Sequence, residues 1–223
     1  MSCNADRLDF QSPRIGIMVL RYMSLSFAYR KATQALNYFA RKAGGRINRL
    51  KALKLVFFAD RYHLRKYGRP ITNDRYWAMS YGPVPSGTKD LAEQGEFLGQ
   101  LETQYVARFI QPFSSDTHAF ESVAEIEYDV FSKSDLEALE FAWSQFGKYD
   151  GFRLAEMTHD YPEWQRHQAA IDSGEATRLP MMYDDFLNDP ATGVDPCFAL
   201  AENDRMDRHE ILAEMRAFEN QWN

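Results

Sequence analysis

A strongly helical pattern runs from Asn48 to Gly68 and reads NRLKALKLVFFADRYHLRKYG. Asn is a favoured residue at the start of a helix and Gly just beyond its end, so these two positions predict the helix boundaries. At 100° per residue the apolar side chains cover most of the circumference. They are Leu50, Ala52, Leu53, Leu55, Val56, Phe57, Ala59, Tyr62, Leu64 and Tyr67. A helix this apolar is expected at the centre of the core.

One carboxylate, Asp60, lies in the middle of the main apolar face. A buried carboxylate is stable only when it is paired or hydrogen-bonded. We therefore expect Asp60 to fix how this helix packs against the turn and strand at residues 69–81. The candidate partners there are Arg69, Arg75, Tyr76 and Tyr81. A role as general base or ligand anchor is the alternative for such a residue.

A narrow stripe of the same helix is basic. It carries Lys51, Lys54, Arg61 and Arg65, with Phe58 expected to be exposed among them. Such a stripe can be a solvated face, can dock on acidic segments of the same chain, or can grip an acidic protein or nucleic acid. The stripe and Phe58 are therefore candidate partner-binding residues.

The segment Tyr81-Gly82-Pro83-Val84-Pro85 is expected to form a rigid corner, because Gly and Pro restrict its backbone so tightly. The corner can simply position the next helix, or it can be a preorganised contact loop. In the second case Tyr81, Pro83 and Val84 join the candidate partner-binding residues.

Charge is distributed unevenly along the chain, although the net charge is only -6. Residues 23–89 contain 14 Lys and Arg against 2 Asp and Glu, whereas residues 90–223 contain 9 against 28. This asymmetry predicts either two halves that attract each other or a basic surface for an acidic partner. No helix-turn-helix spacing is visible, and the acidic half would repel a duplex, so DNA binding is the weaker alternative.

The remaining pattern predicts a mainly helical α+β protein, a single compact domain with a small antiparallel sheet. A helix is expected from Ser26 to Gly44-Gly45, another from Ser86 to Gly95, and a third from Ser132 to Gly147. Shorter helices are expected at 152–158, 162–170 and 182–188, and a last one at 204–222. Strands are expected at 75–81, at 105–110 and within 118–128.

The last helix carries an apolar stripe that can be interpreted in two ways. Its members are Ile211, Leu212, Met215, Phe218 and Trp222. Packing on the chain's own core is the expected role, and contact with another protein is the alternative.

At 223 residues with 45% hydrophobic and 26% charged residues, the composition is that of a globular protein. The longest apolar run, residues 55–59, is far too short to span a membrane. Two cysteines, Cys3 and Cys197, fit a reducing cytoplasm, where we expect the protein. No phosphate loop, dinucleotide fingerprint or catalytic motif is found, so neither catalysis nor a cofactor is expected. His159 and His167 have no standard metal-ligand spacing, and a hydrogen bond near Thr158 is the expected role of His159.

Two groups of residues resemble the Panacea domain, also called SocA-like or GepA-like. The first comprises residues 50–60, His63, Leu64, residues 67–72, Asp74, Tyr76, Ala78 and residues 81–86; the second comprises residues 132–136, Leu154, Thr158, His159, Pro162 and Trp164. The resemblance implies a scaffold motif made of Asp60, His63, Gly68, Arg69, Pro70, Gly82, Pro83, Thr158, His159 and Trp164. Phe57 stands where the family often has Tyr, and the residues beyond about 171 match nothing in the family.

This resemblance implies an antitoxin, bacterial or phage-borne, that neutralises the toxin of a two-gene pair by direct contact and is connected with phage defence. Delivery of the toxin to a cellular protease is an alternative that it also implies. Residues 1–22 show no sustained period and no capping signal, so we expect a leader that either is loosely ordered or precedes a natural start at Met23. The resemblance covers roughly residues 25–170. We therefore expect a Panacea-like domain at 23–170 and a helical extension at 171–223 packed on that domain.

Overall fold

The computed structural model describes residues 26–191, 193 and 195–220, and for residues 218–220 it describes the backbone alone. The expected leader at 1–22, Cys3 and the side chains of Phe218 and Trp222 lie outside the described residues. Among the residues that are described, no helix is both long and apolar enough to cross a membrane.

The described chain is mainly helical, as expected. Its α-helices are α1 (Tyr29–Lys42), α2 (Arg49–Tyr67), α3 (Ser86–Glu93), α4 (Gln100–Val106), α5 (Lys133–Phe146), α6 (Gly151–Thr158), α7 (Pro162–Gln165), α8 (Gln168–Asp172) and α9 (Glu202–Asn220). Single 3-10 turns occur at Tyr128–Val130, Asp185–Leu187 and Pro196–Phe198.

The strands form two small antiparallel sheets rather than the one expected. In the first sheet, β5 (Ala119–Ser122) lies between β1 (Arg46–Asn48) and β4 (Ile110–Pro112). In the second, β2 (Tyr76–Met79) lies between β3 (Gly82–Pro85) and β6 (Leu179–Pro180). Trp77 of β2 faces Val84 on one side and Pro180 on the other, so the second sheet joins distant parts of the chain. The mainly helical α+β class is thus confirmed.

Helix α2 is central, as its sequence predicts. The Asn48 side chain accepts a hydrogen bond from the Lys51 backbone, and Gly68 ends the helix in the left-handed conformation. Residues 52–61 are all buried. They pack against α5 and α6 on one side and against α1 and β3 on others. The elements that follow are therefore arranged around this helix.

Several predicted boundaries are wrong. Helix α1 begins at Tyr29 with Ala28, not Ser26, at its N-cap. Residues 105–110 were expected to be a strand, yet α4 extends to Val106 and the next strand begins at Ile110. The buried residues of that stretch are Tyr105, Val106, Phe109 and Ile110, whose spacing is helical rather than alternating.

The segment at residues 81–85, which was expected to be a rigid corner, contains an edge strand, β3, at Gly82–Pro85. An edge strand tolerates Pro83 and Pro85 because one row of its backbone groups has no strand partner. The expected helix at 162–170 is divided into α7 and α8, and the one at 182–188 is only a 3-10 turn. The last helix, expected at 204–222, begins at Glu202 and is described to Asn220.

Candidate partner-binding surface

Asp60 is fully buried and has the partners that its position requires. Its Oδ1 accepts hydrogen bonds from the backbone of Ile71 at 2.7 Å and Thr72 at 3.1 Å. Its Oδ2 accepts from the Thr72 hydroxyl at 2.5 Å and the Tyr76 hydroxyl at 2.9 Å. Burial raises the pKa of Asp60 to about 6, although the four hydrogen bonds lower it. The carboxylate joins α2 to the turn and to β2, as expected for a packing role.

His63 and Arg69 belong to a second buried network. His63 Nδ1 lies 2.6 Å from the Arg69 carbonyl, which assigns the proton to Nδ1, while Nε2 lies 3.0 Å from the Ser134 hydroxyl. Burial lowers the pKa of His63 to about 4. Asp135 accepts hydrogen bonds from Lys31 and Arg69 and from the Ser132 backbone at the start of α5. This network fixes α5 against α2.

Most of the basic stripe is buried, which corrects the expected exposure of Phe58 and the candidate partner-binding role of these residues. Arg61 and Arg65 instead pair with Glu163 and Asp189, as in the interpretation that the stripe docks on acidic segments of the same chain. Lys54, Phe58 and Arg61 are 0% exposed and Arg65 is 2% exposed, while Lys51 is half-buried. Phe58 stacks on Phe146 with 3.9 Å between ring centroids. Lys51 Nζ donates to the Gly147 carbonyl at 2.6 Å. Long basic side chains can lie inside a protein when carbonyls and carboxylates satisfy them, and helix periodicity alone does not show such partners.

Two arginines of the stripe bind the segment between β6 and α9. Arg61 donates to the Phe186 and Asn188 carbonyls at 2.7 and 3.2 Å. Arg65 donates to the Phe198 carbonyl at 2.7 Å and to the Asp189 carboxylate at 2.6 Å. Their positive charges therefore hold Phe186, Asn188, Asp189 and Phe198 against α2.

Ion pairs between the two halves of the chain balance much of the uneven charge distribution. Basic side chains of residues 23–89 pair with carboxylates of residues 90–223 at many points. These pairs are Arg30–Glu127, Lys31–Asp135, Arg41–Glu125, Lys42–Glu140, Arg49–Glu93, Arg61–Glu163, Arg65–Asp189, Lys66–Glu137 and Arg69–Asp135. The structure thus confirms the interpretation in which the basic and acidic halves attract each other.

Lys54 of α2 fixes the hairpin of β2 and β3 through a hydrogen bond. Lys54 Nζ donates to the Pro83 carbonyl at 2.7 Å, and burial lowers the pKa of Lys54 to about 7. Gly82 has a φ of +84°, and a Cβ at this position would overlap the Thr158 hydroxyl and lie 3.2 Å from Lys54 Nζ. Thr158 in turn donates to the Ala155 carbonyl at 2.6 Å. These contacts leave the backbone at Gly82 no room for a side chain.

Trp164 and His159 support the same hairpin. Trp164 Nε1 donates to the Met79 carbonyl of β2 at 2.9 Å. The His159 ring stacks on Trp164 with 3.8 Å between centroids, and its buried Nε2 has no hydrogen-bond partner. The expected hydrogen bond of His159 near Thr158 is therefore replaced by a ring stack.

Gly68 and Pro70 follow α2 and are buried. A Cβ on Gly68 would lie 2.9 Å from Ile211 Cδ1 of α9, so this glycine permits a close approach between the helices. Leu212 and Met215 of α9 are buried as well. The described part of the C-terminal apolar stripe thus packs on the core.

The surface side of the hairpin presents two aromatic rings. Tyr81, at the tip between β2 and β3, is 58% exposed, and Phe152, in the first turn of α6, is 65% exposed. Their centroids are 5.9 Å apart at an interplanar angle of 68°. Pro83 is buried and Val84 half-buried, so of the three predicted corner residues only Tyr81 is exposed. Sequence reasoning missed Phe152, whose spacing in α6 gave no indication of its neighbour.

No metal centre is built by the described side chains: none of the groups of three or more His, Cys, Asp and Glu residues among them is arranged to hold an ion.

Comparison with protein families gives one match, to the model described as antitoxin SocA-like, Panacea domain, over residues 53–165. Neither the curated proteins nor the solved structures provide a significant match. The matched region begins within α2, includes both aromatic rings and the whole β2–β3 hairpin, and ends in α7. It covers half of the 223-residue chain. The chain therefore belongs to the SocA-like antitoxin family that carries the Panacea domain.

Proposed function

We propose that this protein is an antitoxin that neutralises a toxin encoded by an adjacent gene through direct, stoichiometric contact and without catalysis of its own. The observation that carries the proposal is the match of residues 53–165 to the SocA-like antitoxin domain. The partner is thus a protein, and the proposed place of action is the cytoplasm.

The distribution of exposed residues supports a contact function. The scaffold residues Asp60, His63 and Trp164 are buried, and Asp60 and His63 are occupied by hydrogen bonds within the chain. A buried carboxylate held by four donors is not available to a substrate. The Tyr81 and Phe152 side chains, by contrast, are accessible on a rigid support. Exposed aromatic clusters of this kind are typical of protein-binding sites.

The ion pairs weigh against a DNA-binding regulator. Duplex binding relies on Lys and Arg side chains that are free to reach phosphates. Arg61 and Arg65 are buried in the core instead, and most basic side chains of residues 23–89 pair with carboxylates of the same chain.

The test is co-expression of the adjacent open reading frame with and without this protein, combined with affinity purification through a tag on this chain. We expect the neighbour to arrest growth alone, and to be both harmless and co-purified when this protein is present. Rescue without a complex would contradict direct contact. A harmless neighbour would contradict the antitoxin function itself.

A further inference from the structure

The second sheet has an outer face that is only half-buried. In its register Trp77 of β2 lies between Val84 of β3 and Pro180 of β6, and residues paired across neighbouring strands point to the same face. Trp77 and Val84 are half-buried and Pro180 is exposed, whereas the neighbours of Trp77 in β2, Tyr76 and Ala78, are buried. These three residues, called the outer row below, thus form an apolar line across all three strands.

Two arginines flank the outer row. Arg178 comes two residues before Pro180, and its Cζ lies over the Trp77 ring, 5.0 Å from the centroid. Arg75 comes two residues before Trp77, and because side chains alternate along a strand, it lies on the same face. Both arginines are exposed. The outer face therefore combines an aromatic ring, apolar neighbours and two guanidinium groups.

Most carboxylates near the outer row are engaged with other groups. Asp74, next to Arg75, is buried and accepts hydrogen bonds from Gly87 and Thr88. The charge of Asp90 interacts with those of Glu93 and Glu102, which places it on the α4 side of α3. The other carboxylates of α3 and of the segment after β6 are in ion pairs, namely Lys89–Glu93, Arg49–Glu93, Arg166–Asp185 and Arg216–Asp184.

The unpaired charges that remain beside the outer row are mainly positive. In the connection before β6, Asp172 lies near His159 at the end of α6, and the exposed Glu175 is three residues before Arg178. Among the described residues, neither Arg75 nor Arg178 takes part in an ion pair. Two guanidinium groups thus stand against one carboxylate, and such a surface is complementary to an acidic partner.

A carboxylate fits this arrangement well. A guanidinium group stacked on an aromatic ring keeps its N–H edge free, and two parallel N–H donors match the two oxygens of a carboxylate. Because Trp77 already holds the Arg178 group in place, binding costs little further ordering.

A nucleic acid fits the outer face less well than a protein does. Bases of a single strand would stack on an exposed aromatic ring, but Arg178 already covers that face of Trp77. The apolar side chains of Val84 and Pro180 match apolar side chains of a protein, not phosphates.

We infer that the outer face of the second sheet, with Arg75 and Arg178 at its sides, docks an acidic segment of the partner protein. This inference rests on the proposed function, since the partner is taken to be the toxin. Arg178 and β6 lie beyond the matched residues 53–165, so the inference concerns the partner of this chain and not the family as a whole.

The test measures the affinity of the purified adjacent gene product for wild type, for Arg75→Ala/Arg178→Ala and for the control Arg46→Ala. Arg46 is a matched control, because it is exposed and its Cζ lies 4.2 Å from the centroid of the Phe113 ring, but it belongs to the first sheet. We expect the double variant to bind at least about tenfold more weakly and the control to stay within about twofold. Because all three arginines are exposed, the thermal midpoints should agree within about 4 °C.

A charge exchange identifies the carboxylate of the partner. Arg178→Glu should bind more weakly than Arg178→Ala, because like charges then meet. Replacing the Asp and Glu residues of the adjacent gene product by Arg, one at a time, should identify one change that restores the affinity for Arg178→Glu at least about tenfold. A scan in which no change restores binding would overturn the acidic occupant.

A labelled DNA duplex of about 30 base pairs, at about 0.15 M NaCl, tests the other anionic partner. We expect no binding by the wild type. A duplex that binds the wild type but not Arg75→Ala/Arg178→Ala would assign the outer face to nucleic acid and would overturn the inference.

The outcomes separate the two proposals. If wild type neutralises and binds the adjacent gene product while the double variant binds within twofold, the docking inference is wrong and the antitoxin function stands. If wild type itself neither binds nor neutralises, the antitoxin function fails and the docking inference fails with it.

Discussion

Arg61 Nε of α2 lies 3.1 Å from Glu163 Oε1 of α7, and neither side chain is exposed to solvent. The guanidinium group also lies 4.4 Å from the centroid of the Tyr161 ring. Burial raises the pKa of Glu163 to about 7, although Arg61 opposes that shift. A residue of the basic stripe is thus part of the core of the family domain.

Loss of Glu163 is expected to be severe. Glu163→Ala leaves the Arg61 charge buried without its carboxylate, which typically costs about 3–5 kcal/mol of unfolding free energy. The matched control is Glu156→Ala, which removes an exposed carboxylate from an ion pair with Arg153 and should change stability little. Urea denaturation monitored by circular dichroism measures both. Equal stability of the two variants would contradict the core role of the pair.

Asp60→Ala tests the hydrogen bonds between α2 and the following turn. The substitution leaves two backbone N–H groups and two hydroxyl groups without their acceptor, so we expect a loss of about 3 kcal/mol or more. Asp160→Ala, which changes an exposed aspartate, serves as the control. An unchanged melting temperature for Asp60→Ala would show that this carboxylate does not fix the packing of α2.

Asp60 and Arg61 show which contacts of α2 can be predicted from the sequence and which cannot. The Asn48 and Gly68 helix ends, the central burial of α2 and the need of Asp60 for partners within residues 69–81 follow from local rules. Of the four candidate partners only Tyr76 bonds to Asp60, and the donors Ile71 and Thr72 were not predicted. The burial of Arg61 and Arg65 does not follow from such rules. Their acceptors are carbonyls and a carboxylate at residues 186–198, more than 100 positions away, and no helical period indicates them.

The same limit applies to the candidate surface. Tyr81 was predicted because Gly82 and Pro83 restrict its neighbourhood, and the structure places it at an exposed hairpin tip. Phe152 was not predicted, because its contact with Tyr81 depends on how α6 packs against α2. The expected strand at 105–110 failed for another reason: aromatic and branched residues favour strands locally, but the buried positions there follow a helical spacing.

Gly82→Ala is expected to destabilise the hairpin more than backbone strain alone would. A left-handed φ costs a residue with a Cβ about 1–2 kcal/mol, and at Gly82 the added methyl group also overlaps the Thr158 hydroxyl. Gly44 is the control, since its φ is +89° and no atom lies within 4 Å of an added Cβ. We therefore expect Gly82→Ala to lower the unfolding free energy clearly more than Gly44→Ala does. Similar losses would show that the hairpin can shift to make room.

His63 is expected to make stability depend on pH. Its folded pKa of about 4 lies below the ordinary value of 6.5, so the native state binds fewer protons than the unfolded state between these values. Stability from this group is therefore present above pH 6.5 and is lost as the pH falls towards 4, by about 3 kcal/mol in total. The positive charges of Lys31 and Arg69 oppose protonation there, while Asp135 favours it.

The measurement compares the unfolding free energy of wild type and of His63→Asn as a function of pH. Asp60 and Glu163, whose pKa values are also raised, are present in both proteins, so their contributions cancel in the difference. Titration of the imidazole by NMR in the wild type gives the pKa directly. A midpoint near 6.5, or parallel stability curves, would contradict a neutral buried imidazole.

Arg65→Ala is expected to loosen the segment that α2 holds. The variant loses the donors to the Phe198, Phe186 and Asn188 carbonyls and to the Asp189 carboxylate. Limited proteolysis should then cut within residues 186–201 faster than in the wild type, because local opening exposes the backbone. Arg75→Ala, at an exposed arginine, should leave the rate unchanged. Equal cleavage rates for the two variants would show that the arginine contacts do not hold the segment.

Neutralisation by stoichiometric contact can be tested by titrating purified toxin with this protein. Toxin activity is expected to fall linearly with added protein and to reach zero at a fixed molar ratio, at which size-exclusion chromatography shows a single complex. Loss of toxin activity at a small fraction of that ratio, or without any complex, would rule out stoichiometric contact and would indicate a catalytic mechanism instead.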